Sequence, residues 1–223
     1  MEHELVIICP DGAWKEVMNA LFSRPESLGI RRITPHLIVD PMHDSSPQVV
    51  EILRSFLRDG VKVLVVRDLH GSGKEHLGEA GLEQEIVDEL ESNGWSPEKV
   101  SAIVADPEIE SWLRFDSVHL GRLIQDRARK NRSHTADWKT GLEEAITKFG
   151  GITEIGKPKQ PKEVFNEITK VSYGIPTSTS LLGNLASVES VKRCQTPSFN
   201  RFLERMRDWF PSSEEEYSSV NTK

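Results

Sequence analysis

Cysteine is scarce in this sequence: Cys9 and Cys194 are the only two in 223 residues. Two thiols cannot build the disulfide framework of a small secreted scaffold, and a reducing compartment is their ordinary setting. Long apolar runs are missing too. No stretch approaches the about 18 apolar residues of a membrane-spanning helix, so no membrane association is expected. The opening "MEHELVIIC" is acidic and lacks the basic segment that begins a secretory signal. Together these absences predict a cytoplasmic protein. Positive charge is also in deficit, with 28 Lys and Arg against 35 Asp and Glu. That balance excludes a blanket affinity for nucleic acid but leaves room for a local basic patch.

What the chain does have is a repeated pattern. Four apolar runs recur: "LVIIC" (5–9), "HLIVD" (36–40), "KVLVVR" (62–67) and "VSAIVAD" (100–106). Between them lie stripes at helical spacing: Val17, Met18, Leu21 and Phe22, then Val49, Val50, Leu53, Phe56 and Leu57, then Leu82, Ile86, Val87 and Leu90. Strands that are apolar throughout, alternating with amphipathic helices, read as a parallel sheet covered on both faces. Residues 1–115 are therefore expected to form an α/β core of about four strands. After it the spacing predicts helices over 117–130, 138–149, 161–171 and 196–210, a helical extension (116–210) packed on the core. Thr196 is placed to cap the last of these and Pro197 to open it. The acidic tail, 211–223, is expected to be disordered.

Residues 119–163 hold ten Lys and Arg against six Asp and Glu. Arg127, Arg129, Lys130 and Arg132, with Lys157, Lys159 and Lys162, could line a nucleic-acid backbone, so the 122–162 region is the expected contact for such a partner. Solvated helix and loop faces are the plainer alternative.

The stretch "VLVVRDLHGSGKEHLG" (63–78) invites a phosphate-loop reading, which its own spacing rejects. With Gly73-Lys74 in register, the first glycine would fall on Asp68 and the magnesium hydroxyl on Glu75. Both are carboxylates. A better account comes from the strand ends, each followed by an aspartate: Asp11, Asp40, Asp68 and Asp106. Ligands of open parallel sheets bind outside the carboxyl ends of the strands, and gathered carboxylates call for a cation. Turn and cap chemistry competes at Asp11, Asp40 and Asp106. "ADPEIESWL" (105–113) adds Glu108 and Glu110. On a helix starting at Pro107 these two stand roughly 200° apart, so both could not face one ion.

These residues resemble a known arrangement. An acidic residue after the first strand, and Asp68-Leu69-His70 after the third where an Asp-x-Asp loop would stand, resemble the Toprim domain of topoisomerases, primases and overcoming-lysogenization-type nucleases. "ADPEIESWLRFD" resembles the Pro-Glu-x-Glu-x-Trp-Leu motif of a bacterial Toprim-like family found in phage-defence operons. "CQTPSFNRFLERM" is similar to its terminal Ser-Phe-x-x-Phe helix. The resemblance implies the Toprim-like component of a methylation-associated defence system, acting with other defence proteins. It implies a nuclease for DNA or RNA that uses Mg or Mn, with Asp11, Asp68 and Glu110 catalytic. Asp11, Asp68, His70 and Asp106 are the expected metal ligands. Two departures stand out: Asp11 replaces the family's glutamate, and His70 replaces its second aspartate. Imidazole in place of carboxylate suits manganese better than magnesium. The alternative it leaves open is a catalytically degenerate subunit that binds a partner protein; a small-molecule phosphotransferase rests on fold analogy alone.

Overall fold

The computed structural model describes residues 3–40, 46–57, 60–115, 117–130, 138–173, 179–190 and 194–212. Four strands, β1 (Leu5–Cys9), β2 (His36–Val39), β3 (Lys62–Asp68) and β4 (Val100–Ala105), form one sheet in the order β2-β1-β3-β4. Every pairing is parallel. The helices that follow are α1 (Gly12–Phe22) and α2 (Pro25–Leu28) after β1, α3 (Ser46–Leu53) after β2, and α4 (Gly78–Ser92) after β3. Beyond β4 come α5 (Val118–Lys130), α6 (Trp138–Lys148), α7 (Pro161–Tyr173), α8 (Thr179–Val188) and α9 (Pro197–Trp209). The expected α/β core of four parallel strands flanked by helices is therefore present.

Side chains alternate across a strand with period two, and here both faces are apolar. Leu5, Ile7, Leu64, Val66 and Ile103 point to one layer, with Trp14 and Met18 of α1 and Phe199 and Phe202 of α9. Residues from α5 to α8, such as Leu120, Leu142, Phe165 and Leu185, join that same cluster. Val6, Ile8, Val63, Val65 and Val104 point to the other, under Val50 and Leu53 of α3 and Leu82, Ile86 and Leu90 of α4. The helical extension and the sheet thus share one core. Phe202, fully buried, contributes about 2 kcal/mol by removal from water.

The last helix is tied down at its far end. Arg207 Nε donates to the Leu28 carbonyl at 2.8 Å, and Trp209 Nε1 donates to the Glu98 carbonyl at 3.1 Å. Ile30 then bridges Pro211 in antiparallel fashion.

Three local expectations need correction. No helix starts at Pro107: Glu108 is extended (φ −152, ψ 168) and a single 3-10 turn spans Ile109–Trp112. Thr196 stands at the N-cap of α9 without capping it, because its hydroxyl lies 3.5 Å from the Cys194 sulfur instead. Pro197 does open that helix. Helix α8 was not foreseen, since "TSLLGNLASV" is rich in Ser and interrupted by Gly183. The glycine has a steric reason: a Cβ there would stand 3.0 Å from Glu16 Cβ and 3.3 Å from the Glu16 carbonyl oxygen. It lets α8 cross α1 closely.

The basic cluster at Arg127, Arg129, Lys130 and Arg132 falls on side chains outside the described ones, as does the tail from residue 213. Among the described residues, no helix is long and apolar enough to cross a membrane.

Candidate active site

The strand order reverses direction around β1. The chain leaves β1 for β2 on one side, then returns past it to β3 and β4. At such a reversal the loops leaving β1 and β3 part toward opposite faces and open a crevice at the strands' carboxyl ends. Asp11 follows β1 and Asp68 ends β3, so the two aspartates flank this crevice.

Trp14 links them. Its backbone N–H donates to Asp11 Oδ1 at 3.0 Å, which makes Asp11 the N-cap of α1. Its indole Nε1 donates to Asp68 Oδ1 at 2.8 Å. A second donor, the Ile109 N–H, reaches the same Asp68 oxygen at 2.9 Å. The other oxygen of Asp68 carries neither bond.

The 3-10 turn after β4 brings both glutamates in. Glu108 is 7% exposed and Glu110 5% exposed. Burial pushes the Asp68 carboxyl up to about 8; the Trp14 hydrogen bond opposes this, while the charges of Glu110, Asp11 and Glu108 add to it. Burial likewise raises Glu110 to about 7, helped by Glu108 and Asp11 and opposed by its own backbone N–H and by Lys162. Four carboxyl groups therefore feel one another across this crevice. With Glu108 extended and Glu110 on a 3-10 turn, the two are not set apart as they would be on a helix starting at Pro107.

Lys162, at the start of α7, donates to Glu108 Oε1 at 3.1 Å. Burial lowers its pKa, but the Glu108 hydrogen bond and the charges of Glu108, Glu110 and Asp68 outweigh that and raise it. His70 is on the rim: its side chain is 72% exposed, and Nδ1 lies 3.8 Å from Glu108 Oε1. Asp106 is exposed and acts on Glu79 of α4 rather than on Asp68. Asp40 is buried in the opposite layer, paired with Arg67 at 2.8 Å. Alternation explains this split, because Arg67 and Asp68 leave β3 on opposite faces.

Beneath the crevice the aromatic floor is continuous. Trp112 is 5% exposed, stands edge-on to Trp14 at 5.1 Å and to Phe199 at 4.9 Å, and donates from Nε1 to Ser198 Oγ at 3.0 Å. The 3-10 turn that carries Glu110 is thereby pinned to α9.

Among the described residues, no three His, Cys, Asp or Glu side chains stand ready to enclose a metal ion. The donor chemistry nonetheless fits a hard divalent cation held by one or two carboxylates, with water and phosphate oxygens completing its shell. Asp68 and Glu110 are the two best suited, since burial and neighbouring carboxylates raise both and a cation would favour their ionised forms. Sequence reasoning passed over Trp14, which reads as an ordinary core residue of α1. It also treated Lys162 only as part of a basic run. Neither carries a local signal, because each meets the site through the fold: 54 residues separate Trp14 from Asp68, and 54 separate Lys162 from Glu108. No protein-family model, no curated protein and no solved structure matches this chain.

Proposed function

We propose that this chain is the Toprim-like component of a bacterial anti-phage defence system and acts as a divalent-metal-dependent nuclease on DNA or RNA. The observation that carries the reading is the pair of raised carboxyls, Asp68 at about 8 and Glu110 at about 7, gathered at the sheet's switch point. Strongly shifted groups gathered in a crevice are candidates for a functional site. Asp68 and Glu110, with Asp11 beside them, would hold the ion. A bound divalent cation neutralises phosphate charge and makes a water more acidic. Trp14 and the Ile109 N–H fix the Asp68 carboxyl in place. Glu110, raised to about 7, would serve either as a further ligand or as the acceptor of a proton from the attacking water. Lys162 holds Glu108 and turns positive charge toward the approaching strand, with the exposed Lys159 on the same segment.

The test is cleavage of DNA and RNA substrates in magnesium or manganese, with metal binding followed by calorimetry. Wild type should bind manganese and cut, and Asp68→Asn should lose at least about 100-fold in rate, as removal of one charge-stabilising group does. An uncut substrate in both metals, with no heat of binding, would overturn the nuclease reading. One observation favours a second reading, a degenerate subunit that binds a partner protein: His70 stands where the resembled family has its second aspartate, and its side chain is 72% exposed at the rim. That reading predicts that wild type binds neither metal while His70→Asp gains magnesium binding.

A further inference from the structure

The loop after β3, rejected as a phosphate loop on its spacing, has its own anion geometry. Gly71 and Gly73 both have positive φ, 85° and 70°. A Cβ on either would meet nothing within 4 Å, so conformation rather than space calls for glycine here. Ser72 Oγ accepts from the Lys74 N–H at 3.1 Å and steadies the turn. Backbone N–H groups turned inward by such alternation form a concavity that takes an anion.

That concavity is occupied. The Gly71 N–H donates to Glu75 Oε1 at 2.9 Å. The N–H groups of Glu75 itself, Gly71 and Gly73 hold the Glu75 carboxyl below the usual range, with the nearby His70 adding to the effect. The Glu75 side chain is exposed, and Lys74 is paired with Glu85. An exposed carboxylate therefore occupies the backbone donors of its own turn.

We propose that the Gly71–Glu75 turn is a binding site for a phosphate oxygen of a nucleic-acid strand, closed in the free protein by the Glu75 carboxylate. A phosphodiester oxygen offers the same negative acceptor to the same donors. The turn begins just beyond Asp68, and His70 lies 3.8 Å from Glu108 while its charge acts on Glu75. The proposal rests on the nuclease reading, in which a strand runs along this edge of the sheet. Its phosphate displaces Glu75, and the turn sets the register of the strand against Asp68 and Glu110.

The experiment is a titration of the full-length chain in metal-free buffer, following backbone amide resonances by NMR. One arm uses inorganic phosphate and the other a short single-stranded DNA. In Glu75→Ala the amides of Gly71 and Gly73 should shift saturably with both ligands. Half-saturation should fall about tenfold below wild type, the scale of freeing charge-assisted donors. Glu75→Gln, a neutral occupant, should fall between. Adding Gly71→Ala to Glu75→Ala should lose the response. Amides that stay still, or that respond equally in wild type and Glu75→Ala, overturn the site. Phosphate that moves them while DNA does not overturns the nucleic-acid assignment. Asp68→Asn separates the two proposals: its amides should respond as in wild type. Cleavage surviving in Asp68→Asn would sink the metal reading and leave this site standing.

Discussion

At the scale of single residues, Asp68 concentrates the chemistry, and its environment makes a statement about stability. Its carboxyl moves from an ordinary 3.8 to about 8 on folding, through burial first and then the neighbouring carboxylates, against the pull of Trp14. Between those values the unfolded chain has lost the proton while the folded chain keeps it. The folded state binds more protons, so stability falls as pH rises from about 4 to about 8 and levels off above. Glu110, raised to about 7, adds a slope of the same sign over a narrower range. Asp68→Asn retains an oxygen for Trp14 and Ile109 but cannot ionise. In chelator at pH 8 it should raise the melting temperature by about 2–4 °C, and it should flatten the decline between pH 5 and 8; calorimetry checks both. A melting temperature in wild type that is level or rising across that window would show the carboxyl to be ionised already. The sequence marked Asp68 because a strand end is readable from apolar pattern. It could not mark Trp14, whose indole finds Asp68 only after α1 has docked.

At the scale of elements, the four strands were legible almost to the residue, since each is apolar on both faces and bounded by turn residues. Helices α1, α3, α4, α5, α6, α7 and α9 were legible from their stripes. Helix α8 was not, because its defining contact lies with another helix far back in the chain. The close crossing at Gly183 allows a direct test. Gly183→Leu would push its side chain into Glu16 of α1 and should cost about 1–3 kcal/mol in denaturant unfolding, by overpacking. Gly141, which has nothing within 4 Å of its built Cβ, is the control: Gly141→Ala should be neutral or slightly stabilising. Equal effects at the two positions would refute the close-crossing account. The short α2 (Pro25–Leu28) and the 3-10 turn at Ile109–Trp112 were also illegible. The acidic residues at that turn look like a helix start, but the extended Glu108 answers to Lys162 rather than to helix propensity.

At the scale of the molecule, α1 and α9 pack on one face of the sheet, and apolar residues of α5 to α8 join the same cluster, so the two regions share one core. Truncation before Thr196 removes Phe199, Phe202, Met206 and Phe210 from that cluster and leaves Trp112 without its Ser198 partner. The fragment should be insoluble or lack a cooperative melt; a soluble fragment with a sharp transition would contradict the shared core. The same closure has a consequence for synthesis. The strands and their α3–α4 layer are complete by about the middle of the chain, and translation proceeds at about 5–20 residues per second. Among the described elements, helix α9, together with the Ile30–Pro211 bridge, is made after all the others. For the several seconds between, the nascent chain presents a half-covered apolar sheet to the cell. The turn that carries Glu110 gains its Trp112–Ser198 tie only when α9 has been made.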